Sequence, residues 1–195
     1  MYIIVGLGNP GEEYAKTRHN TGRIVLGKFV KENTEGEMEF SKKYKALVSE
    51  GKSKKEKFTV VFPETFMNKS GASVATMVKS KKAAESLVVV HDDLDLPIGK
   101  IKISFNRGTG GHRGVLSIVK ALKTEGFVRI RIGISPVTPS GKTKKPVGEK
   151  AVEHHILGKF SAKEEETLKK INKEVAEALA VLITEGRESA MSKFN

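Results

Sequence analysis

The chain has 195 residues and no cysteine, and its 35 lysines and arginines outnumber its 23 aspartates and glutamates, giving a net charge of +12 at pH 7. This length predicts one domain with a sizeable core, and the lack of cysteine excludes disulfides, thiolate nucleophiles and thiolate metal sites. The charge favours a polyanionic partner, nucleic acid before an anionic membrane. No apolar run approaches the twenty residues of a membrane span and Met1 leads directly into a predicted strand, so we expect a cytoplasmic protein that binds no membrane.

A glycine-rich turn follows the first predicted strand, residues 2–5. Its G-x-G-x-x-G spacing over residues 6–11 matches a dinucleotide-binding fingerprint. That fingerprint needs a helix that begins within the glycines and a second strand that ends in an acidic residue about twenty residues later. Here Pro10 interrupts the glycines and the polar residues 12–20 follow them. We therefore interpret the match as accidental.

Two polar side chains follow this first strand. Asn9 stands at its carboxyl end, where open α/β sheets place their sites, and His19 comes ten residues later. A helix is predicted over residues 23–30, with Asn20 or Thr21 as its N-cap. We expect Asn9 and His19 to face the same crevice.

The next segment predicts a β-hairpin and another junction between a strand and a helix. Residues 44–49 and 58–62 have the pattern of paired strands, joined by the lysine-rich turn 51–57. The second strand leads towards Asn68, and a helix is expected to begin at Asn68 or Ser70. Asn68 is therefore either a site residue at a strand end or an ordinary helix N-cap.

A continuous apolar run, residues 87–90, predicts a strand that is buried on both faces of the sheet. The acidic segment 91–97 follows it, and its first carboxylate is Asp92. A solvated acidic turn is the simplest interpretation of such a segment. The position of Asp92 at the tip of a central strand favours a functional site instead.

The last third of the chain again alternates strands and helices. Strands are predicted over residues 100–105 and 129–134, and the glycine-rich turn 106–114 between them leads into a helix whose first amides attract phosphate. A basic loop is expected over residues 136–147. A Ser-x-x-Glu capping box at residues 161–164 starts a long amphipathic helix.

Together these elements predict an α/β fold, a single domain over residues 1–195. Its central sheet is expected to be twisted and mixed, partly parallel, and flanked by helices. The pattern supports six strands and leaves room for a short seventh.

The polar residues at the predicted strand ends suggest hydrolysis by an activated water. His19 is the natural general base near neutral pH, and a carboxylate such as Asp92 on its other ring nitrogen would fix the tautomer. The chain has no cysteine and no serine in a nucleophile-elbow context. In the simplest scheme, His19 deprotonates a water while Asn9 and Asn68 hold the acyl group or the developing oxyanion.

A metal site is the alternative chemistry, with His19, His91, Asp92 and His112 as ligands. The H-E-x-x-H and D-x-D-x-D-G ligand patterns are both absent from the sequence, which argues against this alternative. We therefore predict no metal at these residues.

Taken together, the motifs resemble those of the bacterial peptidyl-tRNA hydrolase family. Their order and spacing carry the resemblance, which extends along the chain to residue 160. The matching segments are GLGNPG, Tyr14 and RHNTG in residues 6–22, TFMNKSG in residues 65–71, HDDLDLPxG in residues 91–99, GGHxG in residues 110–114, RIRIG in residues 129–133 and LGKF in residues 157–160.

The resemblance implies a monomeric enzyme that cleaves the ester between the peptide and the 3′-terminal ribose of peptidyl-tRNA, which recycles tRNA from stalled translation. It implies His19 as the base and Asp92 as its partner, with no metal or cofactor. It also implies Asn9 and Asn68 as ligands of the substrate and the water. Further contacts to the peptide and the tRNA are expected from Tyr14, Phe66, Met67, Lys102, Arg113 and Arg131.

Two positions depart from the family pattern. The family usually has an asparagine after Gly-Gly-His, where this chain has Arg113. Arginine is longer, charged and a donor only, so it cannot repeat the acceptor role of an amide. Arg113 is expected either to pair with Asp92 or Asp95, or to bind a phosphate or the terminal adenosine. Ser104 stands where the family often has a second basic residue on the tRNA-facing strand.

Two other functions compete with this hypothesis. The first is a related RNA-binding protein that has lost catalysis, for which the arginine at position 113 is the hint. Retention of His19 and Asp92 argues against it, because binding alone needs no general base. The second is a dinucleotide enzyme, which would require nicotinamide or flavin binding.

Overall fold

The computed structural model of the chain describes residues 1–54 and 56–195, and Lys55, in the predicted turn 51–57, lies outside them. Within these residues the structure has seven strands in one sheet and seven helices. The strands are β1 (Tyr2–Gly6), β2 (Glu39–Ser41), β3 (Ala46–Ser53), β4 (Glu56–Pro63), β5 (Leu87–Pro97), β6 (Ile101–Phe105) and β7 (Val128–Ser135). The helices are α1 (Thr21–Asn33), α2 (Ser70–Met77), α3 (Lys81–Ala84), α4 (Arg113–Leu122), α5 (Glu149–Leu157), α6 (Ala162–Glu185) and α7 (Arg187–Phe194).

The sheet is mixed, as predicted, in the order β2-β3-β4-β1-β5-β7-β6. The central strands β4, β1, β5 and β7 are parallel to one another, whereas β2, β3 and β6 pair antiparallel with their neighbours. The short seventh strand is β2, which pairs with β3 through residues 39–41. Because the carboxyl ends of the parallel strands meet at one edge of the sheet, the residues that follow β1, β4 and β5 are brought together there.

Two hydrophobic layers cover the faces of the sheet. Alternate residues of each strand point to opposite faces, so Ile4 and Val88 pack with α1 and α6, while Val5 and Val89 pack with α2 and α4. Ile4, Val5, Val88 and Val89 have no exposed surface. This explains why β1 and the first half of β5 have continuous apolar sequences.

The structure corrects the predicted end of the central strand. The sequence suggested that β5 stops before the acidic segment, but β5 continues to Pro97 because its pairing with β7 runs on through Asp92 and Asp93. The pairing with β1 does stop early, at the register pair of Gly6 with Val90. Asp92 therefore stands just beyond the end of β1 while its backbone is still held by β7.

The predicted cap of α1 is also corrected. The helix begins at Thr21, and Asn20 occupies the cap position but makes no capping hydrogen bond with its side chain. Instead, Asn20 contacts the turn after β1. Gly22 lets the helix approach the sheet, since a Cβ at this position would clash with the carbonyl oxygen of Val90. A larger residue there would push the start of α1 away from β5.

The remaining helices agree in part with the sequence. The capping box of α6 is present, with the Glu164 amide donating to Ser161 and the Ser161 amide donating to the Glu164 carboxylate. Helix α2 begins at Ser70, one of the two predicted starts. The short helices α3 and α7 were not predicted. In the described part of the chain, no helix combines the length and the apolar character that crossing a bilayer requires.

Candidate active site

A cleft of about 610 Å³ opens at the carboxyl ends of β1, β4 and β5. Its far wall is α5, and the start of α4 closes one end. Eight of the residues predicted as site residues line it together, although they come from widely separated parts of the sequence. These are Asn9, Tyr14, His19, Phe66, Met67, Asn68, Asp92 and Arg113.

His19 and Asp92 are in direct contact at the bottom of this cleft. The Nδ1 atom of His19 lies 3.1 Å and 3.0 Å from the two carboxylate oxygens of Asp92. Both side chains are buried, with 8% and 3% of their surfaces exposed. The contact expected from the sequence is therefore present, across 73 positions of the chain.

The carboxylate of Asp92 also contacts a second imidazole. The Nε2 atom of His112 lies 3.0 Å from the Oδ1 atom of Asp92. Burial raises the pKa of Asp92, but the imidazoles of His19 and His112 outweigh burial and hold that pKa well below its ordinary value of 3.8. Asp92 is thus an anion at neutral pH and accepts both hydrogen bonds.

These contacts define where the proton of His19 resides. A carboxylate can only accept, so the Nδ1 atom of neutral His19 carries the hydrogen and the Nε2 atom keeps its lone pair. Among the described residues, this Nε2 atom has no hydrogen-bond partner. His19 lines the cleft, and a bare Nε2 atom in this tautomer is what a general base requires.

The turn that carries His19 is anchored on both sides. His19 lies in a 3-10 turn, Arg18–Asn20, just before α1. The guanidinium of Arg18 donates to both carboxylate oxygens of Glu164, at 3.1 Å and 2.9 Å, and the Arg18 amide donates to the Gly158 carbonyl. These bonds fix the turn to Gly158, which directly follows α5, and to the first turn of α6.

Asn9 is held by its neighbours on every side but one. Its backbone amide donates to the side chain of Asn20 at 2.9 Å, and its carbonyl accepts from the same side chain at 2.9 Å. The Met67 amide donates to the Oδ1 atom of Asn9 at 2.8 Å. Since the oxygen is engaged, the NH₂ group of Asn9 is the part of the amide that remains for a ligand. Asn68 follows Met67 and is exposed to the cleft.

An apolar wall stands beside these polar groups. The rings of Tyr14 and Phe66 meet edge to face, with centroids 6.5 Å apart, and 56% of Phe66 is exposed. Met67 is buried beneath them, and Val152 and Ile156 of α5 face them across the cleft. Such a surface suits an uncharged chain with apolar side chains.

The structure overturns the predicted partners of Arg113. Asp92 is occupied by the two imidazoles, and Asp95 forms an ion pair with Lys145. Arg113 instead pairs with Glu149 at the start of α5, at 3.0 Å, and both side chains are largely exposed. This ion pair spans the cleft between α4 and α5.

Lys102 and Arg131 lie outside the cleft, side by side on β6 and β7. Lys102 is exposed, and Arg131 donates to the carboxylate of Asp93 at 2.6 Å. Asp93 itself lines the cleft, so this basic strip begins at the cleft mouth. Ser104, at the position where the family often has a second basic residue, is buried opposite Arg129 in the sheet.

Three of the four residues considered as metal ligands do meet. Donor atoms of His19, Asp92 and His112 lie within 4.8 Å of one another, whereas His91 turns its Nδ1 atom to the Asp92 carbonyl. The Nδ1 atom of His112 accepts hydrogen bonds from the Gly114 and Val115 amides, so its Nε2 atom carries the hydrogen. A metal binds a ring nitrogen through its lone pair, and the Nε2 atom of His112 has none available while it carries a hydrogen. These hydrogen bonds therefore argue against a metal here.

Sequence reasoning missed the structural roles of three residues. His112 appeared as a candidate metal ligand and within the GGHxG motif, Asn20 as a helix cap and within the RHNTG motif, and Arg18 only within that second motif. The adjacency of Arg18, His19 and Asn20 was the available signal, because three polar residues before a helix exceed what one cap requires.

Comparison with known proteins gives a consistent result. Residues 3–195 match the family model described as peptidyl-tRNA hydrolase. The chain is 40% identical to the peptidyl-tRNA hydrolase of Syntrophotalea carbinolica, covering all of this chain and 97% of the relative, and 42% identical to that of Carboxydothermus hydrogenoformans, covering 100% and 98%. It is also similar to the crystal structure of peptidyl-tRNA hydrolase from Acinetobacter baumannii, with a TM-score of 0.87, 29% identity and coverage of 100% and 94%.

Proposed function

Because this chain belongs to the peptidyl-tRNA hydrolase family, we propose that it hydrolyses the ester between the peptide and the 3′-terminal ribose of peptidyl-tRNA, using a water activated by His19. One observation carries this proposal. The buried carboxylate of Asp92 holds the Nδ1 side of His19 and leaves its Nε2 atom for the cleft.

In this scheme the Nε2 atom of His19 removes a proton from a water as the water oxygen attacks the ester carbonyl. His19 becomes an imidazolium, and the anionic Asp92 at 3.0 Å stabilises its charge. When the tetrahedral intermediate collapses, the bond between the carbonyl carbon and the ribose oxygen breaks, and the imidazolium returns its proton to that oxygen. Protons and charges balance without a covalent enzyme intermediate.

The amides of Asn9 and Asn68 hold the substrate in this scheme. The fixed orientation of Asn9 presents its NH₂ group as a donor to a carbonyl oxygen of the peptide. Asn68 follows Met67, whose backbone amide binds Asn9, and it supplies a second side-chain amide for the water or the developing oxyanion. A rigid donor costs no reorganisation during the reaction, which is how such groups lower a barrier.

The two ends of the substrate contact different surfaces. The peptide lies against the apolar wall of Tyr14, Phe66 and Met67. The tRNA follows the basic strip of Lys102 and Arg131 away from the cleft. Arg113, at the cleft mouth, contacts a phosphate or the terminal adenosine when it leaves Glu149.

The reaction needs no metal in this proposal. Binding a cation between His19, Asp92 and His112 would require the Nδ1 proton of His19 and the Nε2 proton of His112 to leave their nitrogens. The base would then lose the hydrogen bond that orients it.

The hydrolysis experiment uses a peptidyl-tRNA with a blocked amino terminus and, for comparison, an unblocked aminoacyl-tRNA. We expect release of the peptide with EDTA present, little release from the unblocked substrate, and a fall of about 10²- to 10⁴-fold in the His19→Ala variant. His154→Ala, which changes an exposed histidine, serves as the control. Full activity of His19→Ala, or activity lost on chelation, contradicts the proposal.

RNA binding without catalysis is the alternative that this experiment separates. In that case the wild type and the His19→Ala variant would bind tRNA equally well, and neither would release peptide. This alternative leaves unexplained why the imidazole of His19 is buried against a carboxylate at the bottom of a cleft.

We also propose that the enzyme acts as a monomer in the cytoplasm, where translation takes place. Its mass in solution, measured by light scattering, tests the monomer.

A further inference from the structure

His112 uses both of its ring nitrogens, and it connects two parts of the molecule. Its Nδ1 atom accepts hydrogen bonds from the amides of Gly114 and Val115, at 3.1 Å and 3.3 Å, and so caps the N-terminus of α4. Its Nε2 atom donates to the Oδ1 atom of Asp92 at 3.0 Å. The side chain is 7% exposed.

The helix cap selects one form of this imidazole. An amide N–H can only donate, so Nδ1 must be the bare nitrogen and Nε2 must carry the hydrogen. A proton added to Nδ1 would face two N–H groups at the positive end of the helix dipole and would break both bonds. The geometry therefore presents to Asp92 a neutral donor whose direction α4 fixes.

The carboxylate of Asp92 is consequently held from two sides. His112 approaches Oδ1 from α4, and His19 approaches both oxygens from the turn before α1. The ring of His112 also packs between two others, with centroids 4.9 Å from His19 and 4.7 Å from His91. The ionisable groups around this chain of hydrogen bonds are His19, His91 and Asp92, with Arg129 of β7 beyond His91.

We propose that His112 is a positioning residue, which transmits the fixed N-terminus of α4 to Asp92 and thereby holds His19 in its productive tautomer and orientation. This inference rests on the proposed function, since it assigns His112 a part in orienting the proposed base. His112 touches no reacting atom and acts only through Asp92. It also gives Asp92 a second donor, so the carboxylate shares its charge between two imidazoles.

Two substitutions separate the two nitrogens of His112. His112→Asn places an amide oxygen where Nδ1 was, so the cap is kept, but the shorter side chain cannot reach Asp92. His112→Gln places an amide near the position of Nε2, so the donor is kept, but the cap is lost. His154→Asn is the matched control at an exposed histidine.

We expect His112→Asn to lower kcat by about tenfold to a hundredfold with little change in KM, as for loss of a hydrogen bond to a charged group. Because Asp92 keeps both contacts with His19, the variant should still fold, with its melting temperature lowered by about 2 to 4 °C for each kcal/mol that the lost hydrogen bond contributed. Without the second donor, Asp92 concentrates its charge on His19 and favours the imidazolium, so the acidic limb of the kcat/KM profile should move to higher pH. His112→Gln should keep the wild-type pH profile and lose about 2 to 4 °C in melting temperature.

An unchanged kcat and pH profile in His112→Asn would overturn the inference, as would a change confined to KM, which would indicate direct substrate contact. A shifted pH profile in His112→Gln would also count against it. The proposed function is judged separately by His19→Ala. If that variant is inactive while His112→Asn behaves as the wild type, only the role of His112 is wrong.

Discussion

The bottom of the cleft and the charged surface around it hold their polar groups in different ways. At the bottom, the side chains of His19, Asp92 and His112 are 3–8% exposed and connected by hydrogen bonds of 3.0 to 3.1 Å. At the mouth, Arg113 and Glu149 form one ion pair with exposures of 63% and 82%. The first arrangement is rigid and specific, whereas the second is open to water and salt.

This contrast indicates where the sequence tolerates change. An exposed ion pair contributes about 0 to 1 kcal/mol and is screened by salt. A buried carboxylate with two donors cannot lose one without leaving a polar group unsatisfied. Arg113, one of the two positions where this chain departs from the family pattern, lies in the tolerant region. His19 and Asp92 lie in the region that tolerates least.

The largest expected effect comes from Asp92→Asn. An amide in place of the carboxylate can donate a hydrogen to Nδ1 of His19, which favours the wrong tautomer, and it cannot stabilise the imidazolium. We expect kcat to fall by about 10³- to 10⁴-fold in a single-turnover hydrolysis assay. Asp95→Asn removes a half-exposed carboxylate that pairs with Lys145 and should stay within about twofold of the wild type. Equal losses in both variants would remove the distinction between the two regions.

Charge reversal on the basic strip should weaken substrate binding without disturbing the bottom of the cleft. For Lys102→Glu we expect binding of tRNA to weaken by about tenfold at low salt. The slope of log K against log salt should become shallower by about 0.9 for each phosphate that the variant no longer neutralises. Lys173→Glu, an exposed change on α6 at the other face of the sheet, is the control. An identical salt slope in Lys102→Glu and the wild type would place the tRNA elsewhere.

The buried histidine beside the site should make the fold sensitive to acid. Burial, followed by the neighbouring imidazole of His112, holds the pKa of His91 well below its ordinary value of 6.5. His91 binds a proton more readily in the unfolded chain, so its stabilising contribution is complete above pH 6.5 and is lost as the pH falls below it. Asp92, whose pKa is also lowered, contributes in a separate window below pH 3.8.

Urea unfolding at a series of pH values tests this sensitivity. Between pH 6.5 and 5, one such group changes the free energy of unfolding by at most about 1.4 kcal/mol per pH unit. The His91→Gln variant should show a shallower slope than the wild type across this range. A slope that is the same in both proteins would show that His91 takes up no proton on unfolding.

The smallest effect is expected at the mouth of the cleft. Breaking the ion pair with Glu149→Gln should change the free energy of unfolding by less than about 0.5 kcal/mol. Because Arg113 is then released, we expect binding of peptidyl-tRNA to tighten by two- to threefold at low salt, and Arg113→Ala to weaken it by a similar factor. The two variants should differ less as salt is added. A large loss of stability in either variant would mean that this pair resembles the buried contacts.

The sequence predicted the parts of this molecule that depend on local patterns. The continuous apolar residues of β1 and β5, the start of α2 and the capping box of α6 are all found. The meeting of Asn9, His19 and Asp92 was predictable because parallel strands end at the same edge of a sheet.

The features that could not be predicted depend on partners distant in the chain. The segment 91–97 has the composition of a turn, yet β7 holds it as a strand. Asn20 stands at the cap position of α1, but its side chain forms two hydrogen bonds with the backbone of Asn9 instead of capping the helix. Arg113 was expected to pair with a nearby aspartate, and Glu149 reaches it from 36 residues away.

The tautomer of His19 at neutral pH is the most direct test of the central claim, and nitrogen-15 NMR of the histidine rings measures it. In the free enzyme we expect the neutral ring of His19 to carry its hydrogen on Nδ1 and to leave Nε2 bare, with the opposite arrangement in His112. The signal of His19 should change in Asp92→Asn. A neutral His19 that carries its hydrogen on Nε2 in the wild-type enzyme would contradict the claim, since no base would then face the cleft.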